Sequence, residues 1–104
     1  MLDAAREALA YTDGRGVEAL SSDSMLLRAL VQCITEIGEA GNRVSAPTQE
    51  AFPSVPWRPM SGMRNRLVHA YFDVNHAVLW KTVRLELPRL IPQLEAILRE
   101  ERGS

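Results

Sequence analysis

A long apolar stripe at helical spacing is the feature that most constrains how this chain can fold. Between residues 27 and 44, apolar residues and one glycine recur at steps of three and four: Leu27, Leu30, Val31, Ile34, Ile37, Gly41 and Val44. This spacing places them on one face of an α-helix. The preceding "SSDS" at residues 21–24 supplies side chains that cap helix N-termini. The sequence therefore predicts a helix from this cap to about Val44, with one buried face.

Three further segments have helical spacing, and together they define the predicted fold class. The first helix is predicted over Met1–Thr12 and ends at the turn-forming "DGRG" of residues 13–16. The third is predicted over Pro59–Val74, and the fourth runs from His76 to about Arg102 with a kink at Pro88. Few strand signals are present. We therefore expect an all-α protein, an up-and-down four-helix bundle formed by a single domain over residues 1–104.

The segment between the second and third helices has a different composition. Residues 45–59 hold four of the six prolines, which predicts a linker with one helical turn near Thr48–Phe52. Phe52 and Trp57 are expected to cover the end of the core. Gly38 and Gly41, late in the second helix, either allow a neighbouring helix to approach closely or are simply tolerated near a fraying end.

Composition limits the functions that are open to the chain. The formal net charge of −1 gives no overall basic field, so any contact with RNA must be local. The single cysteine, Cys33, excludes an internal disulfide and is expected to be a buried, unreactive thiol. We find neither a leader pattern nor an apolar run of membrane-spanning length, so we expect a cytoplasmic protein that does not contact a membrane.

The third predicted helix carries two apolar faces. On an ideal helix, Met63, Leu67, Ala70 and Val74 cluster within about 40° and form the expected core face. Val68 and Phe72 lie on the opposite side, where an apolar patch indicates a partner surface. Arg64 and Tyr71 border that patch on one edge, and Asn65 and His69 border it on the other. A helix sandwiched between two others of the same chain, with these polar residues as structural edges, would give the same pattern.

A family resemblance bears on this choice. "PWRPMSGMRNRLVHAYFDVN", "LWKTVRLELPRLIPQLEAIL" and "ITEIGEAGNRVS" resemble the HepT branch of the HEPN (higher eukaryote and prokaryote nucleotide-binding) superfamily over nearly the whole chain. The resemblance implies a four-helix bundle that dimerises and acts as a metal-independent ribonuclease toxin without a cofactor. It also implies a partner, a minimal nucleotidyltransferase (MNT) antitoxin.

The resemblance assigns roles to particular residues. Arg64 and His69 match the catalytic pair of its Arg-x4-His motif, and Asn65 matches the polar position after the arginine. Tyr71 matches the tyrosine to which the antitoxin adds AMP. Ala70 stands where many relatives have glycine. We expect Val68 and Phe72 to form the dimer interface.

The chemistry of RNA cleavage fits these residue types. A histidine can transfer protons near neutral pH, and an arginine can stabilise the charge on the phosphorane. The reaction uses the 2′-hydroxyl as nucleophile, so DNA should resist cleavage. Two proton transfers are required, and His76 looks like a surface residue, so a dimer that pairs both copies of Arg64 and His69 in one cleft is one solution. Whether Arg64 and His69 act within one subunit or across the dimer stays open.

Other interpretations also stay open at this point. The chain could be a HEPN module that binds its nucleotidyltransferase partner without cleaving RNA, or a helical dimerisation domain whose polar residues are structural. Glu36 and Glu39 could orient His69 or pair with Arg64, although a solvated helix face is the simpler interpretation.

Overall fold

The computed structural model describes the backbone of residues 1–70 and 73–103, and the side chains of residues 1–63 and 74–100. The elements, in chain order, are α1 (Leu2–Thr12), α2 (Ala19–Ser22), α3 (Ser24–Arg43), α4 (Ala46–Ala51), α5 (Trp57–Leu67), β1 (Val68–Ala70), β2 (Asp73–Val74), α6 (His76–Lys81), a π-helical segment (Thr82–Glu86) and α7 (Leu87–Gly103). Helices dominate the described chain, which confirms the predicted all-α class.

The predicted central helix is α3, and its cap is the aspartate of the "SSDS" segment. The Asp23 carboxylate accepts a hydrogen bond from the Leu26 backbone N–H at 3.0 Å. This bond, with a smaller contribution from Arg15, lowers the pKa of Asp23 below its usual value. Leu30, Ile34 and Ile37 are fully buried, so the apolar stripe forms the core face as predicted.

The core lies where α3 meets its neighbours. Helix α3 packs against both α1 and α5, while α1 also contacts α7 and the π-helical segment. The completely buried side chains of this core belong to α1, α2, α3, α5, α6, α7 and the π-helical segment, and they include Thr12, Leu20, Leu30, Ile34, Ile37, Met60, Leu79, Val83 and Leu87. Within the described chain, none of the helices is both long and apolar enough to cross a bilayer.

The proline-rich linker contains a short helix and closes one end of the core. Helix α4 is capped by Ser45, whose hydroxyl accepts from the Thr48 N–H at 3.4 Å. Trp57 is 9% exposed, and its indole Nε1–H donates to the Phe52 carbonyl at 3.1 Å. Because Phe52 also packs against the core, the expectation for these two aromatic residues is confirmed.

The predicted fourth helix is interrupted before Pro88. The run from α6 to α7 contains the π-helical segment Thr82–Glu86, in which the Leu87 N–H donates to the Thr82 carbonyl. A proline ring would clash with the carbonyl four residues earlier, and an inserted residue relieves that clash. We expected a kink at Pro88, and the structure has a π-helical segment that ends two residues before this proline. Pro92 lies inside α7.

The predicted extent of the third helix is wrong. We expected a helix over Pro59–Val74, but α5 begins at Trp57 and ends at Leu67. The following residues, "VHAYFDV", are rich in β-branched and aromatic types, which favour extended backbone over helix. A consequence is that helical angles do not apply to Val68, His69 or Ala70, which form β1.

Candidate functional site

Helix α5 is held close to α3 along its first half. Met60 is fully buried and Met63 is 4% exposed. A Cβ atom added at Gly38 would lie 3.0 Å from the Met60 carbonyl oxygen, whereas one added at Gly41 would meet the Met60 Cε at an ordinary 3.6 Å. Gly38 therefore allows the backbones of α3 and α5 to approach each other. Of the two interpretations given for this glycine, close approach of a neighbouring helix is the one that holds.

The residues of the Arg-x4-His pattern follow directly from this anchored half-helix. Arg64 and Asn65 lie in the last turn of α5, and Val68 and His69 lie in β1. Arg64 and His69 are therefore on two consecutive elements and do not share one continuous helix. The expected modification site Tyr71 and the interface residue Phe72 lie outside the described residues.

A two-stranded ladder connects this motif to the next helix. Strand β1 pairs antiparallel with β2, with Val68 opposite Val74 and Ala70 opposite Asp73, and the register is irregular between these pairs. The chain then enters α6 through Asn75, whose side-chain Oδ1 accepts from the Val78 N–H at 3.1 Å. Asn75 is therefore the N-cap of α6, a role typical of asparagine, and the ladder brings the start of α6 back beside the strand that contains His69.

The first residue of α6 is the second histidine of the chain. His76 is half-buried, and its Nδ1 lies 3.5 Å from the Ser21 hydroxyl oxygen at the end of α2. None of the described residues makes a hydrogen bond to its other ring nitrogen, Nε2. We expected His76 to be a surface residue, and its sequence neighbours do not predict this contact. Fifty-five positions separate the two residues, and no sequence pattern connects them.

Two acidic residues and the cysteine of α3 have simpler roles. Glu36 and Glu39 are exposed, and the Glu36 carboxylate accepts a hydrogen bond from the Gln32 side chain at 3.3 Å. Cys33 is buried, as expected. Burial, assisted by the negative charges of Glu7 and Glu36, raises the pKa of the Cys33 thiol to about 11. The thiol is therefore protonated at neutral pH and is a poor nucleophile.

A cavity of about 540 Å³ lies at the other end of α5. Its lining includes Met1, Leu2, Trp57, Leu94 and Ile97, and it contains none of the motif residues. Arg6 borders this cavity and pairs with Glu95 at 3.0 Å. The lining also includes Asp3, Ser45 and Thr48, and an acidic side chain beside an arginine already paired with a carboxylate does not suit RNA phosphate. Among the described side chains, no group of three His, Cys, Asp or Glu residues is placed to hold a metal ion.

This helical domain, with an arginine at the end of one helix and a histidine on the next element, belongs to a defined class of protein. The family model for HepT-like ribonucleases matches residues 1–97. The chain is therefore a member of the HepT-like ribonuclease family, which agrees with the resemblance drawn from the sequence.

Individual relatives agree with this assignment. The chain is 37% identical over 89 residues to a protein of Caldanaerobacter subterraneus subsp. tengcongensis provisionally named an RNase, covering 86% of this chain and 80% of the relative. It is 30% identical over 97 residues to a protein of Methanocaldococcus jannaschii with the same kind of provisional name, covering 93% and 89%. A relative from Thermococcus cleftensis, provisionally named ribonuclease HepT, is 39% identical over 69 residues, covering 66% and 63%. No solved structure matched the chain.

Proposed function

We propose that this protein is a metal-independent endoribonuclease, the toxin of a type II or VII-like toxin–antitoxin system. The observation that carries the proposal is the match to the HepT-like ribonuclease family over residues 1–97, a span that includes the "RNRLVHAY" segment. In this proposal the protein is cytoplasmic, needs no cofactor, and acts on RNA but not on DNA.

The proposed chemistry assigns one task to each motif residue. His69 accepts the proton of the RNA 2′-hydroxyl, which then attacks the adjacent phosphorus. The Arg64 guanidinium, which stays charged and offers paired donors, stabilises the negative charge on the phosphorane. Asn65 supports the site as a neutral polar residue. Because DNA lacks the 2′-hydroxyl, the same reaction cannot occur on DNA.

The proposed assembly is a homodimer of HEPN-type four-helix bundles. Val68 and Phe72 are assigned to the interface, so that Arg64 and His69 of both subunits border one cleft. Val68 begins β1 directly after α5, so in the chain it lies between Arg64 and His69. The arginine and histidine that act on one phosphate can come from one subunit or from two, and the proposal holds in either case.

The activity is tested with purified protein and a labelled RNA in the presence of a chelator. We expect cleavage that leaves a 2′,3′-cyclic phosphate, and a loss of about 10²-fold or more in His69→Ala, the size typical of a lost proton-transfer group. Arg64→Ala should lose activity as well. DNA of the same sequence is the control. Wild-type protein that leaves RNA intact while binding a nucleotidyltransferase would favour the alternative, a non-catalytic HEPN binding module.

Regulation by a nucleotidyltransferase antitoxin forms the last part of the proposal. AMP attached to Tyr71 would add bulk and negative charge beside the residues that bind the RNA phosphate, and both effects oppose RNA binding. Tyr71→Phe should therefore cleave RNA like the wild type but keep its activity after incubation with the antitoxin and ATP. Mass spectrometry should show the added AMP on the wild type alone. Equal inhibition of both proteins would remove Tyr71 from the mechanism.

A further inference from the structure

We propose that His76 is the proton donor to the leaving 5′-oxygen of the RNA. This inference rests on the proposed ribonuclease function and adds the second proton-transfer group that the reaction requires. When the 2′-oxygen bonds to phosphorus, the bond from phosphorus to the 5′-oxygen breaks, and that oxygen must receive a proton to leave as a hydroxyl. His69 takes the proton of the 2′-hydroxyl, and His76 gives the proton to the 5′-oxygen. The products are a 2′,3′-cyclic phosphate and a 5′-hydroxyl, and exchange with water restores both imidazoles.

The strand pairing places the backbone of His76 at a suitable distance from that of His69. Val68 and Val74 are paired, so their Cα atoms lie about 5 Å apart. His69 is one residue beyond Val68, and His76 is two beyond Val74 in the opposite direction along the ladder. Asn75, which lies between Val74 and His76, has an extended backbone with φ −74° and ψ 101°. The two histidine backbones are therefore roughly 11 Å apart, close enough for one phosphodiester to contact a residue of each element.

The contact with Ser21 distinguishes the two ring nitrogens of His76. Ser21 Oγ lies 3.5 Å from Nδ1. In the imidazolium form that a proton donor requires, both ring nitrogens carry a proton, so we assign the Nδ1–H as the donor to this hydroxyl. With one proton held on Nδ1, the proton that the imidazolium can lose is the one on Nε2. No described residue hydrogen-bonds Nε2, which leaves it available to a ligand. A histidine with one nitrogen anchored and the other free is suited to directional proton transfer.

The competing explanation is a dimer in which His69 of a second copy, and not His76, donates the second proton. If His69 of a second copy supplied the proton, His76 would have no part in the reaction. Placing the donor on α6 instead gives each chain both proton-transfer groups, and the dimer would then contribute phosphate contacts.

The test uses two RNA substrates that differ in one atom. In the first, the leaving atom is the natural 5′-oxygen, and in the second it is sulfur, which leaves as a thiolate and needs no proton. We expect His76→Ala and His76→Gln to lose about 10²-fold in cleavage rate on the oxygen substrate and to approach the wild-type rate on the sulfur substrate. His69→Ala should be slow on both, because the 2′-hydroxyl still needs a base.

Two further variants control for structural effects. Ala77→Ser, which changes the exposed neighbour of His76 on the same turn, should cleave like the wild type. Ser21→Ala should lose about threefold to tenfold on the oxygen substrate, the value of one hydrogen bond, and no further loss should appear when it is combined with His76→Gln. Circular dichroism establishes that each variant is folded.

Each result separates the two proposals. If His69→Ala is inactive while His76→Gln cleaves both substrates like the wild type, His76 is not the donor and the ribonuclease function stands. Equal slowing of His76→Gln on both substrates would also overturn the inference, because a proton donor is needed for the oxygen substrate alone. Wild-type protein that cleaves neither substrate would overturn the proposed function, and this inference with it.

Discussion

The two ends of α5 differ in what surrounds them. At its start, Trp57, Met60 and Met63 are buried, and the backbone comes against Gly38 of α3. At its other end the helix stops at Leu67, and the chain continues into the short ladder with the expected catalytic histidine. The first half fixes the position of the element by packing, while the residues with useful chemistry lie where the chain leaves the core. Stability and activity should therefore respond to substitutions in different halves.

The largest expected effect on stability comes from truncating a buried side chain of α5. Met60→Ala removes a side chain with no exposed surface and should lower the free energy of unfolding by about 2–5 kcal/mol, from lost burial and the cavity that remains. Urea denaturation followed by circular dichroism measures this change. Cleavage per folded molecule should be retained, because Met60 is buried in the core and is not one of the motif residues.

The matched control for this variant is a second methionine. Met25 is 81% exposed, so Met25→Ala should change the free energy of unfolding by no more than about 0.5 kcal/mol. Similar losses in the two variants would contradict the assignment of Met60 to the core.

A smaller effect should separate the two glycines that face α5. At Gly38 an added methyl group would lie 3.0 Å from a backbone carbonyl oxygen that cannot rotate away, so Gly38→Ala should destabilise the protein by about 1 kcal/mol despite the better helix propensity of alanine. At Gly41 the neighbouring atom is the flexible end of Met60 at 3.6 Å. Gly41→Ala should therefore be neutral or stabilising by up to about 1 kcal/mol.

Thermal denaturation of the two glycine variants side by side gives the comparison. Opposite signs would establish that the close approach of α3 and α5 is local to Gly38. Equal destabilisation would mean that the helices touch along a longer stretch than the distances indicate.

The same contrast explains which features could be predicted from the sequence. The stripe of α3, the caps at Asp23 and Asn75, and the buried Cys33 follow from local spacing and side-chain chemistry, and all three are present. The end of α5 was mispredicted because Met63, Leu67, Ala70 and Val74 keep helical spacing through a segment whose residue types favour strand. Periodicity alone could not decide between the two.

Part of the site had no sequence signal at all. The contact between Ser21 and His76 joins residues 55 positions apart, and it depends on how α2 and α6 are brought together. The motif residues Arg64 and His69 were found by resemblance, since an arginine and a histidine five positions apart occur often by chance. Their roles stay predictions until the variants of each are measured.

The smallest expected effect lies at the start of α3, and it depends on pH. The Leu26 N–H and the nearby Arg15 favour the charged form of Asp23, so its pKa is lower in the folded protein than in the unfolded chain. A lowered folded pKa contributes stability above the unfolded value of 3.8, and this contribution is lost as the pH falls through the folded pKa. Asp23→Asn keeps an oxygen that can accept from Leu26 but cannot titrate.

The melting temperature of Asp23→Asn should therefore be slightly lower than that of the wild type at pH 6, and the difference should shrink as the pH falls below 4. Asp23→Ala, which also loses the cap, should be lower at both pH values. Because Asp23 is far from the buried half of α5, these changes should add to those of Met60→Ala without coupling. A constant difference between wild type and Asp23→Asn across this range would mean that the carboxylate caps α3 without gaining from its charge.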